Sequence, residues 1–290
     1  MRMGHAPRGV RIKGTAFRLL LLACLAISLG LLGVLLYDVA ADGAGRLSLD
    51  FITSYPSSLA DNAGVRAALL GTILLMVVCA LFIVPVGVAT AVYLEEYADN
   101  SRWWNRLIEV NVQNLAAVPS IVYGILGLAF LVRGPFSFGN VVLAGGLTLG
   151  LLVLPVVIIA GREAIRAVPS SIREGSMALG ATQWQTIWRQ VLPAAVPGIA
   201  TGVILALSRA IGETAPLIMI GAATFVAFDP GLFSTFTALP IQIFDWISRP
   251  SNDVNDFQAL AAGGILVLMI LLLAMNAVAI WLRNRFEQKW

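Results

Sequence analysis

Long apolar stretches alternate with short polar segments along this chain. Six of the stretches are long enough for a helix to cross the hydrocarbon core of a bilayer, which needs about 20 residues. The predicted spans cover residues 19–37, 67–94, 110–132, 141–161, 194–227 and 259–282. The pattern therefore predicts an all-α integral membrane protein with six transmembrane helices.

The polar segments divide the chain into a cytoplasmic N-terminal segment, 1–18, a six-span domain, 19–282, and a cytoplasmic tail, 283–290. The first apolar run also permits a signal peptide, because Val39-Ala40-Ala41 resembles a cleavage site. That run is long for the apolar part of a signal peptide, so we expect a retained span.

Prolines and polar residues interrupt two of the predicted spans. Pro85 should interrupt the second span, because proline removes a helical hydrogen bond. The third span begins with the polar residues 111–114 and contains Pro119 and Gly124. A face that meets protein or water and tight helix packing both explain this pattern.

Basic residues are unevenly distributed between the two sides of the predicted membrane. With both termini in the cytoplasm, 14 of the 19 Lys and Arg residues lie on the cytoplasmic side. The positive-inside rule therefore predicts cytoplasmic N- and C-termini. Eight aspartates lie on the outer side, where a solvated surface explains them.

The composition excludes several classes of protein. The chain is 59% hydrophobic and 12% charged, with a mean hydropathy of +0.87, which a soluble globular domain does not tolerate. His5 is the only histidine, and the two cysteines, Cys24 and Cys79, fall in predicted spans. We therefore expect no metal cluster, disulfide framework or Cys/His catalytic pair. The net charge is +3, and the basic residues are scattered over short loops, which does not favour a nucleic-acid partner.

The lysines bear on ATP hydrolysis. The two lysines are Lys13 and Lys289, and neither lies in a G-x-x-x-x-G-K-[ST] loop. We therefore expect a non-enzymatic subunit that binds no cofactor itself. Any ATP-driven process would need a separate ATPase.

Two charges interrupt the apolar run 194–227, at Arg209 and Glu213. Residues four apart on a helix share a face. A charge at mid-membrane costs roughly 2.5–3.5 kcal/mol, so such a face usually meets protein or a wet cavity. Gly212 and Pro216 should soften the helix beside the charges. Two interpretations remain open: a structural ion pair, or a fixed cation on a substrate path that the carboxylate orients.

The cytoplasmic loop 162–193 contains two patterns that start helices. Ser171-x-x-Glu174 is typical of a capping box, which predicts a helix from about Ile172 to Leu179, ended by Gly180 in a left-handed conformation.

Thr182-x-x-Gln185 is a second capping box and predicts another short helix. That helix carries Trp184 and Trp188, and Pro193 should close it before the fifth span. An amphipathic hairpin anchored in the headgroups and a docking element for a partner both fit this composition.

This loop resembles a motif of bacterial ABC importer permeases, E-A-A, x3, G, x9, I-x-L-P. The matching segments are Glu174-Gly175-Ser176, Gly180 and Gln190-Val191-Leu192-Pro193. The resemblance implies that a coupling helix contacts the ATPase here, through Glu174, Gly175, Ser176, Gly180, Leu192 and Pro193. The sequence departs from the motif at Gly175, Ser176 and Gln190, where the motif has Ala, Ala and Ile.

Four longer stretches resemble the PstA-type permease family of the high-affinity phosphate importer. They are Y-L-E-E-Y-A at 93–98, N-L-A-A-V-P-S-I-V-Y-G at 114–124, R-A-I-G-E-T-A-P at 209–216 and T-A-L-P-I-Q-I-F at 237–244. The resemblance implies a type I ABC importer permease in the bacterial inner membrane. It also implies three partners: a second homologous permease, an ATPase dimer that holds ATP and Mg, and an extracytoplasmic phosphate-binding protein. Arg209 and Glu213 match the family's charged intramembrane positions, which are implicated in passing phosphate.

Three alternative functions also fit the sequence. An ABC permease for another oxyanion, such as sulfate or molybdate, would keep the architecture and change the substrate. An ion-coupled secondary transporter would need no ATPase. A non-transporting membrane scaffold would tolerate replacement of both Arg209 and Glu213 by Leu.

Overall fold

The computed structural model describes residues 8–99, 101–250 and 256–286, and the regular elements of these residues are all helices. In chain order they are α1 Arg8–Gly43, α2 Leu49–Thr53, α3 Arg66–Val92, α4 Trp103–Leu115, α5 Ser120–Gly127, α6 Val142–Arg166, α7 Ser170–Ala178, α8 Gln183–Thr186, α9 Leu192–Ala210, α10 Ala215–Met219, α11 Leu239–Ser248 and α12 Phe257–Phe286. The π-helical turns Tyr93–Tyr97, Leu128–Val132 and Ile187–Val191 extend α3, α5 and α8. Parts of the predicted terminal segments, 1–7 and 287–290, lie outside the described residues.

Five helices in the described ranges are long and apolar enough to cross a membrane. They are α1, α3, α6, α12 and the continuous helix Gln183–Ala210, which joins α8 to α9. The bent pair α4 and α5 makes a sixth span if it is counted as one. The predicted all-α membrane architecture is confirmed, while two of the predicted spans have a different form.

The third predicted span, 110–132, is divided between two helices. Helix α4 ends at Leu115 and α5 begins at Ser120, with an angle of 108° between the two. Pro119 lies at the break, and proline disfavours helical backbone at the residue before it. The predicted third span is therefore bent at Pro119 and is not a single continuous helix.

The fifth predicted span, 194–227, is shorter than its apolar run. Helix α9 ends at Ala210, and after the short α10 the chain folds back over the start of α6. Two backbone amides there donate to this segment, Val142 to Ser234 over 3.3 Å and Leu143 to Leu232 over 3.1 Å. The return satisfies amides that the first turn of α6 leaves without partners.

Two prolines do not act as predicted. Helix α3 continues through Pro85, and the helix that starts at Gln183 continues through Pro193 to Ala210. A proline removes a single backbone hydrogen bond, and packed membrane helices tolerate that loss. The predicted interruption at Pro85 and the predicted closure at Pro193 were therefore wrong.

Helix α6 lies at the centre of the fold and packs against α3 and α9. Small residues allow this close approach: a Cβ on Gly146 would come within 2.5 Å of the Val78 side chain, and Gly202 of α9 faces Ala160 in the same way. This packing fixes the C-terminal end of α9, where the charged residues of the predicted site lie.

Candidate functional site

The two charged residues of the fifth span meet where α9 ends. Arg209 lies in the last turn of α9, and Glu213 lies in the turn that follows. Arg209 Nε donates to Glu213 Oε1 over 3.3 Å. The predicted contact is present, but it crosses a helix end and does not lie on a continuous helix face. The backbone N–H of Glu213 donates to the carbonyl of Ala210 over 3.2 Å, which closes the turn.

The guanidinium of Arg209 is half-exposed and uses its Nε–H in the contact with Glu213. The Arg209 side chain is 47% exposed on the single chain, whereas that of Glu213 is 19% exposed. A guanidinium carries five N–H donors in a planar fork, so four remain besides Nε. The C-terminal end of a helix also stabilises a cation such as Arg209.

Helix α5 packs directly against α10, which follows the turn that carries Glu213. A Cβ on Gly124 would lie 2.7 Å from Pro216 Cα and 2.7 Å from Met219 Cβ, so α5 and α10 approach closely at this point. The sequence left the third span open between a wet face and tight packing, and at Gly124 the structure shows tight packing. The motifs at 114–124 and 209–216 thus come together.

Tyr123 holds the bend beside this contact. Its side chain is buried, and its hydroxyl donates to the carbonyl of Leu115 over 2.8 Å, across the break between α4 and α5. The last carbonyls of a helix lack intrahelical partners, and this bond satisfies one of them. In the sequence, a tyrosine close to a proline within a predicted span was the signal that this side chain could stabilise a bend.

A second polar contact at the end of α9 was missed from sequence. Ser208 Oγ donates to Asn276 Oδ1 over 2.7 Å and ties α9 to α12 next to Arg209. Asn276 is an amide in the otherwise apolar run 259–282, and that isolation was the available signal. The contact fixes the helix turn from which Arg209 projects.

The cytoplasmic loop has the predicted helix–turn–helix form. Helix α7 begins at Ser170 with Pro169 in the cap position, so the predicted capping box at Ser171 was wrong. Gly180 is left-handed, with a φ of 87°, as predicted. The second capping box is confirmed: Gln185 N–H donates to Thr182 Oγ1, and Thr182 N–H donates to Gln185 Oε1.

The predicted coupling residues are divided between this loop and α9. Glu174, Gly175 and Gly180 are exposed on the loop, and Ser176 Oγ lies 2.9 Å from Thr186 Oγ1. Leu192 and Pro193 instead form the first turn of α9. Leu192 packs there against an apolar cluster of α3, α6 and α9. The structure therefore gives Leu192 a packing role, whereas Glu174 and Gly175 face outward.

Two tryptophans of this loop form an exposed aromatic surface. Trp184 and Trp188 stack with ring centroids 5.7 Å apart and are 60% and 61% exposed. With Pro85 and Tyr97 they border an apolar groove beside α3. Such rings suit the membrane–water interface, which agrees with the interfacial interpretation of the loop.

Ion pairs link the C-terminal ends of α3 and α6 to each other and to this loop. Glu95 accepts from Arg166 over 2.9 and 3.0 Å and from Arg162 over 3.4 Å. Glu96 accepts from Arg173 of α7 over 2.7 and 3.0 Å. These pairs were not predicted, although the Y-L-E-E-Y stretch at the end of the second span contains both acidic residues.

The comparison with protein families decides what kind of protein this is. A family model described as "Binding-protein-dependent transport system inner membrane component" matches residues 83–290. The chain belongs to this family. It is therefore a multi-pass permease of the inner membrane, and the predicted resemblance to importer permeases is confirmed.

Individual relatives of this permease cover most of its length. It is 32% identical to the probable ABC transporter permease protein YqgI of Bacillus subtilis, over 92% of this chain and 93% of the relative. It is 37% identical to the phosphate transport system permease protein PstA 1 of Mycobacterium tuberculosis, over 76% and 70%. A third relative, PstA of Xylella fastidiosa, is 33% identical over 84% and 83%.

Solved structures confirm the fold of the permease. The MetNI methionine ABC transporter gives a TM-score of 0.62 at 17% identity, over 77% of this chain and 96% of that chain. The transporter for the acidic polysaccharide alginate gives 0.60 at 17% identity, over 96% and 100%. The predicted type I ABC importer permease fold is thus confirmed.

At the end of α3 opposite the loop 162–193, one ion pair joins two connecting segments. Arg66 donates to both oxygens of Asp229, over 2.8 and 2.6 Å, and the Tyr55 hydroxyl donates to the same carboxylate over 3.1 Å. The hydrogen bonds from Arg66 hold the pKa of Asp229 below its ordinary value. This contact fixes the segment after α10 relative to the start of α3.

Proposed function

We propose that this permease moves inorganic phosphate inward across the cytoplasmic membrane as a subunit of an ATP-driven importer. The observation that carries the proposal is the position of Arg209, a half-exposed guanidinium paired with Glu213 at the end of a membrane helix. Phosphate transport permeases among the relatives support the choice of substrate. No separate observation favours sulfate or molybdate.

Arg209 acts as the fixed cation of the substrate path. Phosphate has several acceptor oxygens, and a planar guanidinium offers them two parallel donors. A site that binds too tightly would trap the ion. Glu213 pairs with Arg209 in the absence of phosphate and yields when phosphate arrives, which limits the affinity of the site.

The permease works with three partners. An ATPase dimer binds ATP and Mg and docks on the cytoplasmic loop, an extracytoplasmic binding protein delivers phosphate, and a second homologous permease completes the path. The chain is similar to two different Bacillus subtilis permeases, YqgI and YqgH, which supports a pair of related chains. The residues proposed for ATPase coupling are Glu174, Gly175, Ser176, Gly180, Leu192 and Pro193. Both termini lie in the cytoplasm, in agreement with the excess of basic residues predicted there.

Substitution of Arg209 tests the substrate path in the reconstituted importer. R209A should assemble with the ATPase and lose phosphate uptake, and R209K should recover little because a point charge does not reproduce the fork. R102A is the matched control, since Arg102 is an exposed cytoplasmic arginine whose side chain is 59% accessible. Normal uptake by R209A would contradict the proposed path.

Uptake and ATPase assays separate the alternative substrates and the alternative energy sources. Phosphate uptake that excess sulfate or molybdate abolishes would favour another oxyanion. Uptake that survives ATP depletion and stops when the ion gradient collapses would favour a secondary transporter. Phosphate-stimulated ATP hydrolysis that requires this subunit would support the importer.

A further inference from the structure

One residue at the cytoplasmic end of α3 is bound to both helices of the cytoplasmic loop. The Glu96 carboxylate accepts from Nε and Nη2 of Arg173 on α7, over 3.0 and 2.7 Å. The backbone carbonyl of Glu96 accepts from Nε2 of Gln183, the first residue of α8, over 2.7 Å. Glu96 therefore connects α3 to each half of the loop through a different group.

Arg173 extends this connection to α6. Its Nη1 donates to the carbonyl of Val168 over 2.6 Å, and its Nη2 donates to the carbonyl of Ile165 over 2.9 Å. Both carbonyls belong to the end of α6 and the turn after it, where intrahelical partners run out. One guanidinium thus joins α3, α6 and α7.

Polar contacts carry much of the attachment of α7. None of its nine residues is fully buried, and of its side chains Ile172 packs, half-buried, against the apolar cluster of α3, α6 and α9. The Arg173 and Glu96 side chains are only 21% and 9% exposed, so water screens their interaction less than that of a surface pair. By contrast, Glu163 pairs with Arg166 at 3.3 Å with both side chains more than half exposed, and such pairs contribute little.

We propose that Glu96 is a positioning residue for energy coupling, which holds the cytoplasmic loop to α3 so that motion of the loop moves the spans. The inference rests on the proposed function, in which an ATPase pushes on this loop. Without the Glu96 contacts, α7 would follow the ATPase while α3 and α6 lag behind. ATP would then be hydrolysed with less phosphate moved.

The experiment measures phosphate uptake per ATP hydrolysed in proteoliposomes that contain the complete importer, normalised to assembled complex. E96Q keeps the size of the side chain and removes its charge. We expect the ratio to fall about fivefold or more, because couplings between sites typically reach that size. E163Q makes the same chemical change on the same side of the membrane and should retain the wild-type ratio.

A double-mutant cycle ties the effect to the Glu96–Arg173 pair. In an R173M background, E96Q should lower the ratio no further, because the interaction is already absent. Q183A removes the hydrogen bond from Gln183 to the Glu96 carbonyl, and Gln183 itself is exposed. The uptake ratio should fall less, about twofold, because only one hydrogen bond is lost.

The outcomes separate this inference from the proposed function. A wild-type importer that takes up no phosphate would contradict the proposed function. Wild-type uptake with an unchanged ratio in E96Q would overturn the role of Glu96, as would full additivity with R173M. If E96Q prevents assembly, an unchanged ratio in assembled Q183A complexes would overturn it as well.

Discussion

Gly124 of α5 lies so close to Pro216 of α10 that a Cβ on the glycine would come within 2.7 Å of the proline Cα. The neighbouring Met219 side chain is equally close. Helices α5 and α10 are therefore closely packed, and α10 directly follows the turn that carries Glu213. Because Arg209 pairs with Glu213, displacement of α10 would alter the position of the proposed anion site.

The first prediction concerns this contact. G124A places a methyl group against Pro216 Cα and Met219 Cβ, which cannot move aside as the end of a flexible side chain can. Such overpacking costs about 1–3 kcal/mol. We expect a lower melting temperature of the purified permease in detergent and slower phosphate uptake by the importer.

A matched glycine lies in α1. A Cβ on Gly30 would meet nothing within 4 Å, so G30A should not lower the melting temperature. If G124A melts at the wild-type temperature, the close packing of α5 on α10 is contradicted.

The second prediction concerns the bend between α4 and α5. Y123F removes the hydroxyl that donates to the Leu115 carbonyl, and a hydrogen bond of this kind contributes about 1 kcal/mol. Amide hydrogen exchange at the C-terminal end of α4 should therefore become faster. Y37F is the control, because Tyr37 of α1 is 76% exposed. Equal exchange at the end of α4 in wild type and Y123F would show that the bond does not hold the bend.

Apolar patterning predicted where this chain is helical better than where its helices end. The run 194–227 was expected to be one span because its residues are apolar, but α9 ends at Ala210, and the backbone N–H of Ala223 donates to the carbonyl of Phe236 over 2.9 Å. A hydropathy pattern does not distinguish an apolar helix from an apolar segment that folds back. Long-range contacts between distant segments decide the difference, and they are not visible in a single sequence.

At the candidate site too, the sequence predicted local pairings and missed those between distant segments. The pairing of Arg209 with Glu213 followed from their spacing and from the cost of isolated charges in a membrane. The pairing of Arg173 with Glu96, 77 residues apart, depended on how α3, α6 and α7 come together. Both of those residues were visible as charges beside predicted spans, but spacing along the chain could not identify them as partners.

The third prediction concerns the pH dependence of the contact between Arg66 and Asp229. The pKa of Asp229 is lowered in the folded permease, mainly by the hydrogen bonds from Arg66. A carboxylate with a lowered pKa stabilises the fold above its ordinary value of 3.8, and this contribution is lost as the pH falls through the lowered value. Limited proteolysis of the segments that Arg66 and Asp229 join should thus be constant from pH 7 to 5 and increase only below pH 3.8.

D229N should raise proteolysis at neutral pH and weaken its increase on acidification. D61N is the control, because Asp61 is 74% exposed and pairs with a different arginine, Arg46. An increase in proteolysis that begins between pH 7 and 5 in the wild type would contradict the assignment to Asp229.

The last prediction concerns two positions where the loop departs from the importer motif. A Cβ on Gly175 would meet nothing within 4 Å, so G175A should fit without strain. Glycine within a helix costs roughly 0.5–1 kcal/mol relative to alanine, and G175A should therefore stabilise α7. S176A restores the other alanine but removes the 2.9 Å contact with Thr186, so it should loosen α7 from α8. Hydrogen exchange of the α7 amides should slow in G175A and accelerate in S176A, and the same response in both variants would refute this distinction.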